Sequence, residues 1–241
     1  MPLIDYLPIV STVVTFAFAA AVLVRYARRG GLHLLMWGIG LILYGLGTLA
    51  EAWLFFQYDP FWLRLWYLCG AILTSAWLGQ GTVWLLVRRR GVAQALTVVL
   101  ALLSLFAIFW VFTRTLTDVP YDLTRPVSGQ YQAILVRDGL TIALLVAFTF
   151  YGTAMLVGGA IYSAYVFWRK RVMPHRVTGN VLIAAGALSP AIGGLLVRRG
   201  LGDVLFISEL VGAALMFAGF LIATRSFVPG DLPAQAVESP G

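Results

Sequence analysis

Two carboxylic acids sit inside long apolar stretches. Glu51 lies five residues before Phe56, where one stretch ends, and Glu209 six residues after Asp203, where another begins. A carboxylate in hydrocarbon is costly unless it is paired, protonated or hydrated, so an acid there marks an ion or ligand site by default. At 1.5 Å per residue, both lie roughly 7–9 Å inside the apolar boundary. Tyr44, Thr48 and Glu51 follow i, i+4, i+7 spacing and share a helix face. Tyr67, Thr74 and Gly81 form a similar line on the next stretch, with Gly70 and Trp77 between them. Arg64 stands one turn before Tyr67 and is placed to pair with Glu51 or Glu209. The chemistry on offer is binding of a proton, an ion or a small polar molecule. Glu51, Glu209, Tyr44, Thr48, Tyr67, Arg64 and Trp77 are the expected ligand-binding residues. The other reading of the acids is a buried ion pair or hydrogen-bonded carboxyl that fixes helix register, and Trp77 also suits plain packing.

The remaining polar residues carry less. Gln80 and Asn180 fall near the ends of their stretches and suit bonds between helices. His33 and His175 are too interfacial and too few for a haem or a metal site, so no cofactor is expected. A lone Cys69 excludes an intrachain disulfide. There is no GxxxxGK[ST], HExxH, CxxC or GxSxG pattern. The only lysine is Lys170, in a loop, which excludes a retinal Schiff base in the last stretch. No catalytic set emerges, and an enzyme is not expected.

The elements that must position these residues are plain. Seven apolar runs, Leu7–Val24, Leu34–Phe56, Leu65–Val87, Val92–Phe112, Leu140–Trp168, Val177–Val197 and Val204–Ala223, cover most of the 241 residues. Each approaches the ~20 residues a helix needs to cross roughly 30 Å of hydrocarbon. Charged residues make up 11% of the chain, against about 25% in a soluble domain. The expected fold is all-α: a multi-pass cell-membrane protein, seven transmembrane helices over 1–226, with a disordered cytoplasmic tail at 227–241.

Charge distribution sets the orientation. With the N-terminus outside, eleven of the seventeen basic residues lie inside, in clusters such as Arg25, Arg28, Arg29 and Arg169, Lys170, Arg171. The outer six are Arg64, Arg114, Arg125, Arg137, Arg198 and Arg199. Positive charge favours the cytoplasmic side, which gives N-out and C-in. Basic residues follow the first run rather than precede it, unlike a signal peptide. The net charge of +7 is thereby absorbed at helix ends; anionic lipid headgroups are the expected partners, not nucleic acid. Trp53, Trp62, Trp66 and Trp110 fall at expected outer ends, where amphipathic rings settle.

One connection is long. Thr113–Gly139 is either a lid or a mobile solvated loop. The first and fifth runs both end in basic clusters leading to a histidine, and YLCGAIL in the third aligns with ELVGAAL in the seventh on Gly70 and Gly212. That suggests a 3+1+3 parallel repeat with the fourth helix as linker, an arrangement found in transporters. Small residues four apart (Ala71, Ser75 and Gly79; Ala154 and Gly158; Ser189 and Gly193; Ser208 and Gly212) propose close helix contacts. Pro190 should kink the sixth helix.

The segment WGIGLILYGLGTLAEAW…WLRLWYLCGAILTSAW resembles the seven-span sensory region that precedes many bacterial histidine kinases, through Arg64, Leu65, Tyr67, Leu68 and Gly70. It also resembles small seven-span bacterial proteins. The likeness covers about a third of the chain; a kinase or other output domain is not expected after the last run, which departs from that family. The resemblance implies a sensory module of the bacterial inner membrane that binds a small molecule from the outer side and signals through a partner protein. The alternative is a small-solute or proton-coupled transporter; a lipid-acting membrane enzyme ranks third.

Overall fold

The computed structural model describes residues 6–87, 89–170, 174–197, 199 and 204–224. Helix α1 (Leu7–Arg29) turns into α2 (Leu32–Phe56) through Gly30 and Gly31, whose φ values of 67° and 103° suit glycine. The third crossing is composite: α3 (Pro60–Trp66), a π-helical segment (Tyr67–Leu73) and α4 (Thr74–Leu86) run on as 27 residues. Then follow α5 (Arg90–Thr113), a short α6 (Val127–Ile134), α7 (Gly139–Arg169), α8 (Pro174–Val197) and α9 (Val204–Ala223). Seven of these helical stretches are long and apolar enough to cross a membrane; the chain is an integral membrane protein. No strand forms among the described residues, only a bridge between Leu116 and Leu135. The proposed tail at 227–241, with Arg88, Arg171, Arg198, Asp203 and Arg225, lies outside the described residues.

Packing neighbours close a ring: α1 on α2, α2 on the third crossing, α4 on α7, α7 on α8, α8 on α9, and α9 back on α1. Helix α5 stands outside it, against the third crossing, with Val98, Leu102, Leu105 and Phe109 exposed to the lipid position. Spans one to three and five to seven thus occupy successive arcs, the order a half-turn would interchange. Matching close contacts agree with this. A Cβ on Gly47 would stand 2.9 Å from the Gly70 Cα, and one on Gly212 would stand 2.8 Å from the Gly186 carbonyl oxygen.

Small-residue contacts hold the arcs together. The backbones of Gly79 and Gly152 meet where α4 crosses α7, a Cβ on Gly79 falling 2.8 Å from the Gly152 Cα. The stripe expected on α7, Ala154 and Gly158, is instead exposed, and a Cβ on Gly158 would meet nothing. Gly152 and Gly159 are the buried positions.

Two apolar clusters fill the bundle. One, at the end that carries α6, joins Leu63, Trp66, Tyr67, Val111, Ile134 and Phe148. The other, toward the opposite end, joins Phe18, Val22, Leu41, Leu78, Met216 and Phe220. The arginine bias assigns the α6 end to the outside. In a Cys69→Ser background, Gln132→Cys on α6 should react with an impermeant thiol reagent added to intact cells, and Arg89→Cys should react only after permeabilisation. Reversed labelling would invert the orientation.

Candidate functional site

The α2 stripe is formed as its spacing requires. Tyr44, Thr48 and Glu51 are all buried on one face. Thr48 Oγ1 accepts from Thr12 Oγ1 at 3.0 Å, and Tyr44 Oη donates to the backbone carbonyl of Glu209 at 2.8 Å. The second bond crosses the ring from α2 to α9. Helix α1 turns Ser11, Thr12 and Thr15 inward; Ser11 Oγ and Thr15 Oγ1 have no hydrogen-bond partner. Their i, i+1, i+4 spacing was visible in the sequence, and it extends the polar face from α2 onto α1.

Glu51 is 3% exposed. Glu209 on α9 is half-buried, and its carboxyl lies beside that of Glu51. The Trp66 indole is the other polar neighbour of Glu51. None of these reaches hydrogen-bond geometry with a Glu51 oxygen, and Oε2 of Glu209 is also without a donor. The acids are therefore brought together, with no basic group between them.

Arg64 does not serve as their partner. Its guanidinium donates to the carbonyl of Arg114 at 2.9 Å. The single ion pair among the described residues is Arg114–Asp138, at 2.8 Å. Trp77 also falls away from the acids, donating to Ser104 Oγ of α5 at 3.1 Å. The cause is the π-helical segment. Its extra residue per turn, marked by Thr74 Oγ1 donating to the Cys69 carbonyl at 2.7 Å, breaks the seven-residue line from Tyr67 to Gly81. Trp77 is thereby turned to the α5 side. Tyr67 stays inside, fully buried, with its hydroxyl unpartnered. Gln80, expected to bond across helices, does so. It donates to Thr97 Oγ1 at 2.7 Å and accepts from Tyr151 Oη, tying α5 and α7 to α4.

The long connection is a folded cap rather than a mobile loop. Thr117 N donates to the Ile134 carbonyl at 2.9 Å, and Gln130 binds the Asp122 amide and the Asp122 and Arg125 carbonyls. Tyr131 of α6 packs edge-on against Trp66, ring centroids 5.1 Å apart, and tilts over Tyr67. Tyr121 stacks on Tyr58 at 4.8 Å. Burial, and next the carboxyl of Glu51, pushes the Tyr121 phenol well above its usual value, so it stays a neutral donor. The cap thus rests directly over Glu51. Trp66, expected in the interfacial belt, is buried beneath it. Sequence reasoning missed Trp66, Tyr121 and Tyr131 as parts of the site, because the contacts that unite them are long-range.

Acid groups pin the cap. Asp138 accepts from Thr141 N and Oγ1, at 2.8 and 2.7 Å, and these bonds hold its carboxyl below the usual range, with Arg114 adding to them. Asp122 is lowered likewise by Thr124. Depressed carboxyls contribute fully above about pH 4, and their share is lost as pH falls below it. Among the described residues, no group of three His, Cys, Asp or Glu is placed to hold a metal ion. No family model, curated protein or solved structure matches this chain.

Proposed function

We propose that this chain is a membrane sensory module that takes its ligand from the outer side at Glu51 and Glu209. In this reading it passes the change to a partner protein, and its role is binding rather than catalysis. The dead-end form of the site carries the reading. Tyr58, Tyr121 and Tyr131 lie on the cap side of the acids; Thr48, Thr12, Tyr44 and Thr15 carry the polar face only about two turns inward from Glu51. On the other side Phe18, Val22, Leu41, Leu78, Met216 and Phe220 close the bundle with apolar side chains. A translocation path needs polar groups or water through to the far side of a midway site, and here the polar face ends at that apolar layer. Glu51 belongs to the first three spans and Glu209 to the last three, so whatever the pair holds alters the fit between the two arcs. The likeness of the second and third spans to sensory regions of histidine kinases supports the reading. The basic residues Arg25, Arg28, Arg29 and Arg176 at the inner ends suit anionic headgroups.

A proton-coupled or small-solute transporter is the second reading, favoured by the half-turn order of the two arcs. Proteoliposomes carrying an internal pH dye separate the two. Under an imposed pH gradient, a sensor leaks no faster than protein-free vesicles, with wild type and Glu51→Gln alike. Flux in wild type that disappears in Glu51→Gln would overturn the sensory reading.

A further inference from the structure

The surroundings of the acid pair narrow what it can hold, given the outward-facing site proposed above. Glu51 and Glu209 lie side by side, and three of their four oxygens are enclosed without a donor. The titratable groups facing them are Tyr44, which donates to the Glu209 backbone, and Tyr121 of the cap. Helix α1 adds only hydroxyls, and Ser189 of α8 is spent on the Ser208 carbonyl. Arg64 is held elsewhere. Two adjacent enclosed carboxylates resist ionising together near neutral pH, because like charges a few ångströms apart favour sharing one proton until the pH is raised. A metal ion or an organic cation needs ligand oxygens or space around it, whereas a proton needs neither.

We propose that Glu51 and Glu209 together bind one proton, which reaches them from the outer face past Tyr121, and that the chain responds to external acidity. The proton passes from a hydronium ion to a carboxylate oxygen, forming an O–H bond and leaving water; release reverses the step. One bound proton lets the carboxyls hydrogen-bond to each other and draws α2 toward α9. Its loss leaves two negative charges and drives the helices apart.

Glutamate occurs only at positions 51, 209 and 238, so wild-type protein isotopically labelled at the glutamate carboxyl gives a simple infrared spectrum. In oriented proteoliposomes near neutral pH, one protonated-carboxyl band per chain is expected, shifting on deuteration. Raising the outer pH should remove it; raising only the inner pH should not. The band should be absent from the double variant Glu51→Gln, Glu209→Gln. A wild-type spectrum with only ionised carboxylates overturns the proton assignment while leaving the outward-facing site to the flux assay. A band that follows the inner pH overturns the entry route.

Discussion

Glu51→Gln and Glu209→Gln should each raise the melting temperature of the detergent-solubilised protein near neutral pH. Most buried acids behave oppositely, since removing one partner of an ion pair strands the other. These two have no cationic partner. Glutamine keeps the shape and adds an amide donor where Glu51 now receives none. Relieving a buried charge of this kind is worth about 1–2 kcal/mol, or roughly 2–8 °C for a chain of this size. The gain should widen as pH rises and shrink in acid, where both carboxyls are protonated in folded and unfolded chains alike. The wild type itself should lose stability as pH rises above about 4, because there the folded protein retains a proton that the unfolded chain gives up. Melting curves of wild type and both variants across pH test this. Lower melting temperatures in both variants would show the pair to be a structural tie.

The largest loss is expected at a residue with no chemistry. Gly152→Val places its side chain into the backbone of Ser75 and Ala76, where α7 crosses α4. Backbone cannot yield as a side-chain tip does, so the penalty should exceed the roughly 1–3 kcal/mol of ordinary overpacking. The fraction of monodisperse protein on gel filtration should fall severalfold. Gly158→Val is the control: six residues along the same helix, with nothing to meet, it should elute as wild type. Equal yields from the two variants would refute the proposed α4–α7 contact.

The spans were legible in the sequence because hydrocarbon demands long apolar runs, and five of the seven runs end within about three residues of the helices at both ends. The first and third depart equally: α1 continues past Val24 to Arg29, and the third crossing starts at Pro60, ahead of Leu65. The acids were legible because their burial is expensive, and Tyr44 and Thr48 because α2 is regular. Register failed at the third crossing. A π-helical segment has no compositional signature, and it sent Trp77 to α5. Arg64 was misread for another reason: its partner is a backbone carbonyl fifty residues away, which side-chain types cannot announce. The cap was unreadable as structure because its anchors are hydrogen bonds within Thr113–Gly139 and rings that meet only in the fold.

Helix α5 bears on ancestry. A three-span unit begins on one face of a membrane and ends on the other, so two such units in tandem would point in opposite directions. One additional crossing restores the second unit to the direction of the first, and α5, standing outside the ring, supplies that crossing while adding little to the enclosed interior. A gene half as long would need no such crossing: two separate copies of its product could assemble side by side, already parallel. In that symmetric assembly any residue of the seam would occur twice. A single chain is free of that duplication and can carry Glu209 where the alignment of YLCGAIL with ELVGAAL sets it against Tyr67, an acid on one side and a phenol on the other.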